Sequence, residues 1–236
     1  MTPDMGFRHF HDQLATLKQR LLDMSQSAEE LVELSVDALL TRDTEKADVV
    51  ISGDHVVDQL ELEVEKLAIE LLALQQPMAR DLRFIISAIK ISSDLERVGD
   101  HAVNIAQSAL RLASLNMPTT PHPEIEDMAR RARRMLSDAL DAFIRADGIL
   151  GREVTQADDQ VDALHNSMFR ILLTHMMADT RTINPSLELL LVSRNLERVA
   201  DLATNIAEDA VYMAEGTQIK HRAEMGVAPP AARSGR

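Results

Sequence analysis

Cysteine and tryptophan are absent from this chain of 236 residues, tyrosine occurs once, and aromatic residues make up only 3% of it. Without cysteine there is no disulfide framework and no thiolate metal site, which is in keeping with a reducing compartment. Few aromatic residues argue against β-sheet, which favours them together with β-branched side chains. No apolar run approaches the ~20 residues that cross a bilayer. The first ten residues, with Asp4 and His9, lack the apolar core of a signal or transit peptide. A soluble, cytoplasmic protein is expected, meeting any membrane only through a partner. Positive charge is also scarce. Against 38 acidic residues there are 25 basic ones, a net charge of −13, which repels nucleic acid and favours cationic partners, metal ions included. A glycine-rich phosphate loop and a nucleophile paired with a base are missing too, and the only nearby arginines that suggest an anion site are Arg80 and Arg83. No enzymatic activity is expected.

What is plentiful is Leu, Ala, Met and Glu, all of which favour helix. Apolar residues at Leu14, Leu17, Leu21, Met24, Ala28, Leu31, Leu34 and Ala38 recur at the three-and-four spacing of one helical face, predicting a first helix over about 9–40. Asp43 is placed to cap a second helix, which runs through Val50, Val57, Leu60, Val64, Leu67 and Leu71 until Pro77 stops it. A third runs from about Ala79 to Leu115. The segment Asn116-Met-Pro-Thr-Thr-Pro-His-Pro123 holds three of the eight prolines and reads as a linker over 116–123. Three more helices are predicted over about 124–146, 150–177 and from Asn184, which would be an N-cap with Pro185 in the first helical position. Residues 216–236, rich in Pro and basic residues, read as a mobile tail.

The two halves share more than a pattern. Asp94-Leu-Glu-Arg-Val-Gly-Asp-His-Ala-Val-Asn-Ile-Ala106 aligns without gaps on Asn195-Leu-Glu-Arg-Val-Ala-Asp-Leu-Ala-Thr-Asn-Ile-Ala207, and nine of thirteen positions match at an offset of 101. The expected fold is therefore all-α: two tandem three-helix bundles, over 8–115 and 124–215, related by internal duplication.

Each repeat carries acidic residues one turn apart, on one helix face: Glu96 and Asp100 in the first, Glu197 and Asp201 in the second. The preceding helices add Asp54 and Asp58, and Asp158 and Asp162. In a helical hairpin, residues equidistant from the turn lie at one height. Asp58 and Glu96 are each 19 residues from Pro77, and Asp54 and Asp100 are each 23 residues from it. In the second hairpin Asp162 with Glu197, and Asp158 with Asp201, share a midpoint inside the turn predicted at Ala178 to Thr182. Two clusters of four carboxylates follow, each an all-oxygen site suited to Mg, Mn, Fe or, less ideally, Zn. An ordinary solvated face, or ion pairs with the adjoining Arg97 and Arg198, would explain the same acids without metal. Asn104 and Asn205 continue the stripe and are candidates to orient the carboxylates. His165, three residues after Asp162, is a minor candidate ligand whose counterpart in the first repeat is Glu61. A carboxylate-bridged di-metal enzyme of the ferritin-like type would want Glu-x-x-His on two helices, and Asp162-Ala-Leu-His165 approximates it once.

Leu95-Glu-Arg-Val-Gly-Asp-His-Ala-Val-Asn104 and Leu196-Glu-Arg-Val-Ala-Asp-Leu-Ala-Thr-Asn205 resemble the paired signature of the PhoU family of phosphate-transport regulators. His9-Phe-His-Asp-Gln-Leu14, Pro77-Met-Ala-Arg-Asp-Leu-Arg83 and Met177-Ala-Asp-Thr-Arg-Thr-Ile183 are similar to the family's N-terminus and hairpin turns. The resemblance implies a homodimer of paired three-helix bundles with metal clusters at the Glu/Asp-x-x-x-Asp motifs. It also implies a negative regulator of the phosphate regulon, communicating between the ATPase subunit of the Pst phosphate ABC transporter and the sensor kinase PhoR. Carried over, the ligands are Asp54, Asp58, Glu96 and Asp100, then Asp158, Asp162, Glu197 and Asp201. The chain departs from internal symmetry at Gly99 against Ala200, and at His101 against Leu202.

Overall fold

A computed structural model of the chain describes residues 3–75, 77, 79–115 and 122–216. Most of the linker expected at 116–123 and nearly all of the tail expected at 216–236 lie outside the described residues. Among the described residues every regular element is helical. Helix α1 spans Pro3–Thr41, α2 Thr44–Gly53, α3 His55–Gln75, α4 Ala79–Ser114, α5 Pro123–Arg145, α6 Gly148–Ala178 and α7 Ile183–Glu215. No described helix is long and apolar enough to cross a membrane.

The apolar spacing accounts for the packing. Leu17, Leu21, Met24, Ala28 and Val32 of α1 fall three or four apart and are fully buried. In α5 the row from Ile125 through Met128, Ala132, Met135 and Ala139 to Phe143 is buried, while Arg130 and Arg134 face solvent. Helices α1, α3 and α4, with the short α2, form one bundle; α5, α6 and α7 form the other. They meet along α4 and α7, which run antiparallel: Lys90 pairs with Asp209 (3.6 Å), His101 Nδ1 lies 2.9 Å from Asn195 Oδ1, and Arg111 pairs with Glu188 (2.8 Å). Phe84 of the first repeat stacks on Phe143 of the second, centroids 4.9 Å apart and planes 16° apart. Aromatic pairs of this geometry add to the stability that burial alone supplies.

Three helix boundaries differ from the sequence pattern, the first being that of α1, which starts at Pro3 rather than at about residue 9. The second helix is interrupted at Asp54, between α2 and α3. Glycine weakens a helix interior, and beside Gly53 the Ser52 carbonyl is engaged by the His55 ring, Nδ1 to oxygen 2.6 Å, in place of a backbone N–H. Asp54 itself remains in right-handed helical conformation, so the chain continues in the same direction. The last helix starts at Ile183 rather than after an Asn184 cap. The Asp179 carboxylate accepts from the Arg181 N–H (3.0 Å) and caps a 3₁₀ turn over Thr180–Thr182. That turn brings the chain into helical phase early, leaving Pro185 inside the first turn, where its missing N–H is no loss. Asp43 caps α2 as expected, accepting from the Lys46 N–H at 3.1 Å.

Candidate metal centres

The acidic residues sit where the helices of each hairpin face each other. Asp54 is at the α2–α3 junction and Asp58 in the first turn of α3. Glu96 and Asp100 lie opposite on α4, and their carboxyls act on those of α3. Burial raises the Asp54 carboxyl from 3.8 to about 6, with the negative charges of Asp58 and Asp100 adding to it. Glu96 is raised by burial and then by Asp100, Glu61, Asp58 and Asp54. In the second hairpin, Asp158 and Asp162 on α6 face Glu197 and Asp201 on α7. Burial pushes Asp158 up to about 7, and Asp162, Asp201, Glu197 and Asp159 push in the same direction. Glu197 is raised chiefly by burial and by Asp201, against the opposing pull of Arg198 and His165.

Among the described residues, no three His, Asp or Glu side chains close around one point. The carboxylates of each set are neighbours rather than a cage. Two details bear on whether they suit a cation. Asp158 Oδ1 is buried without any hydrogen-bond donor, a position that is costly for a carboxylate oxygen and natural for a metal ligand. In the first repeat the Asp54 carboxylate lies against the backbone of Gly99, where an added Cβ would stand 2.6 Å from Asp54 Oδ1. The second repeat has Ala200 at the corresponding position, fully buried. The donor set is all oxygen, fitting a hard or borderline ion.

The arginines divide the sites. Arg97 turns away from Glu96 to Asp94, at 3.5 Å. Arg198 instead donates to Asp201 Oδ2 at 2.8 Å and lies 3.7 Å from Glu197, so the ion-pair reading describes part of the second cluster. His165 lies 3.1 Å from Ser193 Oγ through Nδ1, which ties that nitrogen to the hairpin partner. Asn104 is exposed and Asn205 half-buried, and neither is hydrogen-bonded to a carboxylate among the described residues. One member escaped the motif: Glu61, one turn on from Asp58, acts on Glu96 and is itself raised by burial, Glu65 and Asp58. Its spacing of three from Asp58, the spacing of His165 from Asp162, was the available signal.

The PhoU domain model matches residues 21–109 and again 125–210, so the duplication coincides with two copies of one known domain. The chain is 39% identical to the phosphate-specific transport system accessory protein PhoU homolog of Rhizobium meliloti (strain 1021), over 89% of this chain and 88% of that one. Identity is also 39% with the homolog from Aquifex aeolicus (strain VF5), covering 89% and 95%. Among solved structures, PhoU from Pseudomonas aeruginosa superposes with a TM-score of 0.84 at 36% identity, covering 88% of this chain and all of that one. The phosphate transport system regulatory protein PhoU from Streptococcus pneumoniae gives 0.82 at 31% identity, covering 89% and 99%. With both halves matched and the relatives aligned over nearly their whole length, the chain belongs to the PhoU family and has an accessory, regulatory part in phosphate transport.

Proposed function

We propose that this protein is a metal-loaded adaptor without catalysis of its own, acting as a cytoplasmic homodimer that restrains phosphate uptake and the phosphate regulon. Its partners on this reading are the ATPase subunit of the Pst transporter and the PhoR sensor kinase, both taken from the family. The residues that would hold metal are Asp54, Asp58, Glu96 and Asp100, and Asp158, Asp162, Glu197 and Asp201. Metal at these positions supplies the positive charge that offsets the mutual repulsion of the carboxylates. The observation that carries the reading is the buried Asp158 Oδ1, an acceptor with no donor amid the carboxylates of Asp162, Asp201, Glu197 and Asp159.

The chain's own residues do the mechanical work. Each carboxylate set joins the two arms of a hairpin, α3 to α4 and α6 to α7, and α4 and α7 are the helices through which the repeats pack. Holding the acids together stiffens both hairpins and the α4–α7 seam, leaving the long outer faces of the helices as a fixed surface for a partner. Elemental analysis of protein purified without chelator tests the site. The expected result is bound Fe, Zn, Mn or Mg in the wild type and loss of it in a Glu96→Ala/Glu197→Ala double variant. Equal, near-zero metal in both proteins removes the metal from this proposal. Oxygen-dependent turnover by iron-loaded protein, abolished by Glu197→Ala, would replace the adaptor with a ferritin-like di-metal enzyme.

A further inference from the structure

A cavity of about 470 Å³ opens where the repeats meet at the ends of α1, α4, α5 and α7, well away from the acidic clusters. Its floor is the stacked pair Phe84 and Phe143, with Leu14 and Met213 as apolar walls. Its rim is cationic in a protein of net charge −13: Lys18 from α1 and Arg80 from the first turn of α4 both line it, with His11 beside them. Lys18 Nζ stands over the Phe84 ring, 5.1 Å from its centroid. Neither Lys18 nor Arg80 is paired with a carboxylate among the described residues. The one acid on the lining, Asp81, leaves the local charge positive.

We propose that this cavity is a binding site for an organic phosphate monoester carrying an apolar or aromatic body. The size falls within the range of small-molecule sites, which are mostly apolar with a few placed polar groups and favour boundaries between structural units. It is roughly fifteen times a water's share of liquid volume, far more than a bare four-oxygen anion fills, so the apolar floor calls for a body attached to the anion. Two separate cations, one a compact ammonium and one a planar guanidinium, supply more donors than one carboxylate accepts, and phosphate oxygens match that number. The positive end of the 36-residue helix α4 adds to the field at Arg80. Phosphate here is met by side chains, independently of any metal at the acidic clusters.

The test is calorimetric titration of the full-length protein, with and without EDTA, using AMP and phenyl phosphate as probes and adenosine, phenol and inorganic phosphate as controls. Saturable binding of AMP or phenyl phosphate at about 1 mM or below is expected, unchanged by EDTA, with every control at least about tenfold weaker. Lys18→Met and Arg80→Gln, both at the rim and outside the core, are each expected to weaken binding about tenfold with an unchanged helical circular dichroism spectrum. Four results overturn the proposal: neither organic phosphate binds, inorganic phosphate binds as well as they do, binding disappears with EDTA, or either variant binds like wild type.

Discussion

Replacing Asp158 by Asn separates the cost of a buried carboxylate from its use. The amide keeps the shape, removes the charge and brings a donor to a place where Oδ1 has no partner. Lifting a carboxyl from 3.8 to about 7 corresponds to about 4 kcal/mol if fully realised, and solvent screening around a half-buried group brings this to about 1–2 kcal/mol. The sign follows from proton linkage. Because the folded state holds the proton more tightly than the unfolded one, this group's favourable contribution is complete below pH 3.8 and is lost as the pH rises through about 7. At pH 8 the wild-type carboxylate is therefore a burden to metal-free protein. Asp158→Asn is expected to raise the melting temperature of EDTA-treated protein at pH 8 by about 2–8 °C. With Mn²⁺ at about a hundred times a site's dissociation constant, that site adds about 2.7 kcal/mol by mass action, and the variant loses the second site's contribution. Differential scanning calorimetry with and without Mn²⁺ reads both effects. A variant that is less stable in EDTA, or that responds to Mn²⁺ like wild type, refutes the reasoning.

Other outcomes follow from the same structure. Gly99→Ala puts a Cβ 2.6 Å from Asp54 Oδ1, and the atom that must yield is the end of a side chain. Metal at the first site is expected to fall by half or more by elemental analysis, while helix propensity offsets the stability cost by about 1 kcal/mol. At Gly151 the added Cβ would meet the Ala207 carbonyl oxygen and Val211 Cγ2, both at 2.9 Å. Here backbone of α7 has to move, so Gly151→Ala is expected to lose about 1–3 kcal/mol in urea unfolding. Metal binding should strengthen between about pH 5 and 8 with release of protons, since Asp54 and Asp158, raised to about 6 and about 7, must ionise to coordinate. Equal affinity at pH 5 and pH 8 would contradict this.

The helices and their pairing were legible because both are written in spacing. Apolar residues three and four apart mark the buried faces, and distances from Pro77 place Asp58 opposite Glu96 without any tertiary information. Local competition was harder to read. Gly53 with Ser52 and His55 interrupts a helix that the apolar pattern carries straight through, and the Asp179 cap starts α7 before the more conspicuous Asn184-Pro185. Side-chain choice was not legible: Arg97 and Arg198 hold equivalent places in the repeats, yet one turns to Asp94 and the other to Asp201. In the first repeat Asp94 is an acid, and its counterpart is Asn195, which accepts no ion pair and lies beside His101 instead. The junction cavity was beyond reach, because His11, Lys18, Arg80 and Phe84 of the first repeat meet Phe143 and Met213 of the second only through the docking of one repeat on the other.

That difference between the arginines predicts different affinities at the two sites. In the first hairpin Asp54, Asp58, Glu96 and Asp100 have Glu61 as a fifth carboxylate, and Arg97 is drawn off by Asp94. In the second, His165 replaces Glu61 and Arg198 lies on both Asp201 and Glu197. A cation entering the first site meets five acids and no competing guanidinium; one entering the second must displace an ion pair. Titration with Mn²⁺ at pH 7 should therefore resolve two classes of site, and the weaker one should vanish in Asp158→Asn. Removing the guanidinium with Arg198→Ala should tighten the weaker class by up to about fivefold, since a partly exposed ion pair is worth about 0.2–1 kcal/mol, whereas Arg97→Ala should leave both unchanged. If Arg198→Ala weakens the second site, then Arg198 orients its carboxylates rather than competing for them, and the order of filling argued from charge is wrong.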